Sequence, residues 1–313
     1  MIALLLIPLV LPFALPPLAR RLVHRVRPEI ALWALTSASA ALAVGVVACL
    51  GVLLLPLALT IPAVAALVDL IQPLEAGPGV LVLTLSAVAG GALAVTSVTA
   101  VRRTLSEVRR LRAAHSDVAG LPHAGGLCVV VDDTPDAYAL PGGGRSPGRV
   151  VVTTGMLSAL AAAEREVLLA HERAHLAARH HLFLATAQLA AWCHPALAAV
   201  AAQVSFAAER AADETAADAA GDRTLTARAV GRAALAITRS RTQLPSFTPG
   251  AATGPVPARV KALLSHAPTR RLAPALLVVV LVIGAAGASA IAGAVSVHTG
   301  VEIAQGEGAD GCH

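Results

Sequence analysis

Three residues in the middle of the chain have the types and the spacing for metal chemistry: His171, Glu172 and His175, inside the run "EREVLLAHERAHLAARHH" from Glu164 to His181. On a helix, residues four apart share a face, so the two imidazoles can address one ion. Glu172 lies beside them, close enough to take a proton from a water that the metal has polarised without ligating the metal itself. This H-E-x-x-H arrangement is the one with which hydrolases hold catalytic zinc. The plain alternative is a solvated helix face that happens to be rich in histidine.

Two ligands are too few, because catalytic zinc takes three protein ligands and leaves a position open. His181 stands where an extended H-E-x-x-H-x-x-G-x-x-H motif would put its third histidine. That motif needs a glycine where this chain has Ala178, and a methionine downstream, whereas Met1 and Met156 both lie upstream. His180 and His181 therefore read as the exposed end of the helix, complementing its dipole. The third ligand is expected among the acidic residues of "AAERAADETAAD", which are Glu209, Asp213, Glu214 and Asp218, followed by Asp222. Glu209 and Asp213 are one turn apart, so one can bind the ion while the other orients a ligand histidine through its second ring nitrogen. Spacing leaves Glu209 and Glu214 both open as the ligand, and a plain amphipathic helix is the alternative.

These helices must be brought together by a chain that is 56% hydrophobic and only 14% charged, a composition that points to a membrane protein. Four runs are long enough to span a bilayer: 1–19, 30–57, 80–101 and 272–297. The first has its arginines after the apolar stretch and no cleavage signal, so it reads as a retained, proline-kinked span rather than a signal peptide. Arginines follow the first and third runs (Arg20, Arg21, Arg25, Arg27; Arg102, Arg103, Arg109, Arg110, Arg112) and precede the fourth (Arg270, Arg271). The positive-inside rule then puts both termini outside and residues 102–271 in the cytoplasm, with 298–313 a short extracytoplasmic tail. With 2% aromatics, the net charge of +5 fits anionic lipid headgroups and not nucleic acid. Cys49, Cys128, Cys193 and Cys312 show no C-x-x-C spacing, so neither a disulfide nor a cysteine metal site is expected.

Within 102–271, a charged helix leaves the third span. Three short runs follow, 127–133, 136–144 and 149–155, separated by Pro and Gly clusters, and they read as a small sheet. From Met156 to His181 the chain reads as helix, with further helices at about 196–220, 225–240 and 258–265. The apolar stretch between His181 and Glu209 cannot be one crossing, since that would put His175 and Glu209 on opposite sides of the bilayer. Split at "CHP", it becomes a shallow helical hairpin. The fold class expected is a four-span α-helical membrane protein with an inserted α+β, mostly helical, zincin-like domain carrying a small sheet.

"LLAHERAHLAARHH", "WCHPAL" and "ERAADE", in this order and separation, resemble the BlaR/MecR-type integral-membrane metallopeptidases. "DAYALPGG" and "VVVTTGML" are similar to the related heat-shock (HtpX-type) and CAAX-processing membrane proteases, and "PARVKALL" resembles their closing arginine helix. The resemblance implies one zinc per chain held by His171, His175 and Glu209, Glu172 as general base and Asp213 as the supporting carboxylate. It also implies Arg259 as the closing arginine, with a transition-state or structural role, and Ala137, Tyr138, Ala139 and Leu140 as an edge strand that binds the substrate backbone. His194 stands where these relatives have Asn. Their large extracellular sensor is not expected here, where only "HTGVEIAQGEGADGCH" follows the fourth run. The implied activity is zinc-dependent cleavage of a cytoplasmic or membrane-proximal protein in a bacterial cell membrane. The substrate would be either a transcriptional repressor, in regulated proteolysis, or misfolded membrane proteins, in quality control. The alternative is a non-catalytic membrane signalling adaptor that keeps the fold.

Overall fold

The computed structural model describes residues 7–58, 79–142, 147–241 and 255–265, together with Val280 and Gly284. Residues 7–10 are helical and lead into a tight 3-10 turn at Leu11–Ala14, after which α1 (Leu15–Arg25) begins. Pro16 opens α1 in the first turn, where a missing N–H leaves no hydrogen bond unmade. Within the first apolar run the helix thus changes from α to 3-10 form and back around Pro12 and Pro16. α2 (Pro28–Ala58) and α3 (Gly79–Ala119) follow. Among the described residues these two helices are long and apolar enough to cross a membrane, over Pro28–Leu54 and Val82–Ala119. The expected fourth span, 272–297, and residues 1–6 of the first lie outside the described residues, apart from Val280 and Gly284. α3 joins the third apolar run and the arginine-rich stretch after it in one helix of 41 residues, about 60 Å long at 1.5 Å per residue.

The sheet has the order β1 (His123–Ala124), β2 (Leu127–Val130), β4 (Arg149–Thr153), β3 (Ala137–Leu140). β2 and β4 run parallel, while β1 and β3 are antiparallel to their neighbours. β4 reads "RVVVT" because both of its faces are covered. Val151 packs with Cys128, Leu140 and Val118 of α3, whereas Val152 packs with Met156, Leu160 and Leu168 on the opposite side. The two-residue strand β1 has no counterpart in the sequence reading. β3 lies at the edge, with one side bonded to β4 and the other unpaired by any described strand. Thr153 Oγ1 ties this edge to the chain that follows: it accepts from Asp136 N–H (2.9 Å) and Met156 N–H (3.2 Å) and donates to Thr134 O (2.8 Å). Gly155 is required beside it, since a Cβ there would lie 2.2 Å from Asp133 O.

Helices α4 (Thr154–Ala159), α5 (Ala162–Ala177), α6 (His180–Cys193), α7 (Ala196–Ala220), α8 (Arg223–Arg241) and α9 (Val256–Leu264) complete the fold. α6 and α7 form a hairpin that turns at His194 and Pro195. His194 Nδ1 accepts from Ala196 N–H at 3.3 Å, the bond an asparagine side chain would make at the start of a helix. The hairpin packs on α1 and α2: Leu197, Val200, Val204 and Phe206 share a buried core with Leu15, Leu22, Leu35 and Leu42.

The single helix expected from Met156 to His181 is interrupted twice. At the first break Leu160 and Ala161 are extended, and Glu164, 2% exposed, accepts from Ala161 N–H at 3.0 Å. Its carboxylate also pairs with Arg228 (3.2 Å) and Arg232 (3.0 Å), which fixes the start of α5 against α8. Burial alone would raise the pKa of Glu164, but the Ala161 N–H and the two arginines hold it below its ordinary 4.5. A lowered carboxylate pKa contributes stability that is present above the unfolded value and lost as pH falls through the folded one. Glu164→Gln is therefore expected to lower Tm at pH 7, with the gap to wild type shrinking as pH drops below about 4.5. Thermal melts across that range check it, and a gap independent of pH would deny the ion pair its role.

Candidate metal centre

α5 presents His171 and His175 towards α7, where the C-terminal half supplies Glu209 and Asp213. His171 Nε2 and His175 Nε2 are 3.2 Å apart. Glu209 completes a triangle, with Oε2 3.7 Å from His171 Nε2 and Oε1 3.5 Å from His175 Nε2. A tetrahedral ion with bonds of 2.0–2.1 Å needs donors about 3.4 Å apart, so these three side chains fit zinc in type and in spacing. Glu214, the other carboxylate that the sequence left open, is held away from them. It pairs with Arg223, whose Nε also donates to Leu263 O (2.9 Å) and so caps α9.

Both imidazoles are held from behind. His171 Nδ1 lies 3.1 Å from Asp213 Oδ1. Asp213 takes two bonds from Arg259, Nε at 2.7 Å and Nη2 at 2.6 Å, and Arg259 Nη1 lies 2.7 Å from Glu209 Oε2. The second interruption of the helix, at Ala178 and Arg179, brings up the partner of His175. Arg179 adopts the left-handed conformation (φ 51°, ψ 42°), the one described residue other than glycine with positive φ. Such a residue costs about 1–3 kcal/mol and persists where packing over-determines it. The turn swings His180 back beneath α5, and its Nδ1 lies 2.9 Å from His175 Nδ1. The expectation that His180 and His181 form an exposed helix end is thus corrected. His180 is 2% exposed, and His181 lines the cavity in front of the cluster.

The electrostatics suit a cation. Burial would lower the pKa of His171, but Asp213 and Glu209 raise it to about 10. Burial would raise Glu209, yet His171 and Arg259 bring it to about 2. Burial, helped by the charge on His171, lowers His175 to about 3, and burial lowers His180 to about 4. Two carboxylates, Glu209 and Asp213, thus face His171, an environment that favours the positive charge a divalent cation would supply. Glu172, 8% exposed, does not join the triangle, and burial pushes its pKa up.

The cavity, about 320 Å³, is bounded by His171, Glu172, His175 and Glu209 on one side and by Ala137, Tyr138 and Ala139 of the sheet edge on another. Leu140, the fourth residue of that edge strand, turns its side chain into the sheet core and does not line the cavity. His180, Glu164, Arg223 and Arg210 escaped the sequence reading as participants. Arg210, next to Glu209, is buried and donates Nη1 to Val23 O at 2.6 Å, satisfying a carbonyl in the last turn of α1. Apart from the local bond between Ala161 N–H and Glu164, chain reversals bring these partners together.

Two histidines four apart on one helix and a carboxylate on a facing helix, beneath an open sheet edge, make a centre of the metallopeptidase class. The chain belongs to peptidase family M48, whose model matches residues 102–267; its members are zinc metallopeptidases. No curated protein and no solved structure was found to match the chain.

Proposed function

We propose that the protein is a membrane-embedded, zinc-dependent endopeptidase that cleaves a protein at the cytoplasmic face of the bilayer. The observation that carries this reading is the triangle of His171, His175 and Glu209 facing a cavity that the free edge of β3 also borders. An extended substrate segment adds to β3 by backbone hydrogen bonds, which hold its carbonyls over the centre without regard to sequence. His171, His175 and Glu209 would hold one zinc ion, with Asp213 and His180 behind the two imidazoles. When bound, zinc supplies Lewis-acid chemistry, activating water and polarising the scissile carbonyl. Glu172 accepts the proton of the attacking water and delivers it to the leaving amine; its raised pKa brings the acid and base forms closer to balance near neutral pH. Arg259 keeps Glu209 and Asp213 ionised and aimed, a structural role.

The apolar helices α2 and α3 support a membrane setting, with Arg102, Arg103, Arg109, Arg110 and Arg112 at anionic headgroups. The outward-facing termini, the four-span topology and a substrate that is a transcriptional repressor or a damaged membrane protein belong to this proposal.

Zinc per chain in detergent-purified protein tests the centre. Wild type and Glu214→Ala are expected to carry about one zinc and Glu209→Ala far less, because Glu214 is committed to Arg223. Equal loss in both variants, or none in either, would reject Glu209 as the ligand.

A further inference from the structure

We infer that His180 is a positioning residue for the centre: it accepts a hydrogen bond from His175 Nδ1–H and so fixes the tautomer that turns the His175 Nε2 lone pair towards the ion. This rests on the reading of His171, His175 and Glu209 as a metal centre, and it adds a residue that the H-E-x-x-H spacing does not contain.

The two Nδ1 atoms are 2.9 Å apart, so one of them carries a proton and the other accepts it. If His180 were the donor, the His175 proton would sit on Nε2. That nitrogen is 3.2 Å from His171 Nε2 and 3.5 Å from Glu209 Oε1, and a proton there would occupy the ion's place. With His175 as donor, Nε2 is free to ligate and the His180 proton sits on its own Nε2. The two ligand imidazoles are then supported differently: His171 by a carboxylate backed by Arg259, and His175 by a neutral ring. The geometry is built rather than incidental. His180 is the first residue of α6, buried, with its ring edge-on to His175 at 4.8 Å, and the left-handed turn at Arg179 brings it there.

Zinc affinity, measured by competition with a chelating indicator in detergent, tests the inference. His180→Phe keeps a ring of similar bulk and removes the acceptor; it is expected to weaken zinc binding about 10–100-fold. His180→Asn, whose carbonyl reaches the position of Nδ1, is expected to restore affinity to within a few-fold of wild type. A Phe variant that binds zinc as wild type does, or an Asn variant as weak as Phe, overturns the inference. Melts of the metal-free proteins show whether the variants are folded, and His180→Ala replaces Phe if the bulkier ring unfolds the chain. A folded wild type that takes up no zinc overturns the metal-centre reading and this inference with it.

Discussion

Purified Glu172→Gln protein is expected to keep about one zinc per chain and to lose peptide-bond cleavage by at least about 10²–10⁴-fold, the usual contribution of a positioned general base. The substitution is nearly isosteric, and Glu172 takes no part in the triangle of donors, so metal affinity has no reason to fall. The amide cannot accept a proton, which removes both transfers assigned to this side chain. Because Glu172 is buried in the cavity wall and held towards its neutral form, losing its charge should not harm the fold. Cleavage of an unfolded protein such as casein, run beside zinc analysis on the same preparation, separates the outcomes. Activity within tenfold of wild type would remove Glu172 from proton transfer. Loss of zinc together with activity would make it part of the metal-holding set.

Arg259→Met is expected to destabilise the metal-free protein by about 3–5 kcal/mol, the cost of leaving a buried charge without its partner. Arg259 is 6% exposed and serves two carboxylates, binding Asp213 through two nitrogens and Glu209 through the third. Both acids also face His171, so without the guanidinium two buried carboxylates sit together with their fixed counter-charge gone. A divalent cation should relieve much of this. Added zinc is therefore expected to raise the Tm of Arg259→Met more than that of wild type. Melts of both proteins, with and without zinc, make the comparison, and an unchanged metal-free Tm would show that the cluster does not depend on the arginine.

What could be read from the sequence follows how local each interaction is. His171 and His175 lie on one turn-spaced face, and α5 delivers them as that spacing requires. The hairpin turn at His194 and Pro195 was legible because apolar length and proline placement act locally. The choice of Glu209 over Glu214 was not legible, because it depends on Arg223 occupying Glu214 from the next helix. His180 was misread for a related reason. Nothing in "LAARHH" forbids a continuous helix, and the break at Arg179 pays off only in tertiary packing that buries the ring. Glu164 stands three residues after Ala161, the capping-box spacing, but alanine lacks the hydroxyl that marks such a start in sequence.

The packing behind α7 is not complete within residues 102–267. Leu15, Leu22, Leu35 and Leu42 cover the underside of α7, and the carbonyl of Val23 is the acceptor for the arginine adjoining Glu209. Cutting the chain at residue 102 would leave Leu197, Val200 and Val204 wet and that guanidinium without its acceptor. The amino-terminal helices are thus less a tether than part of the packing that holds α7 in place. Any effort to obtain a soluble catalytic fragment has to carry them along or replace their surface.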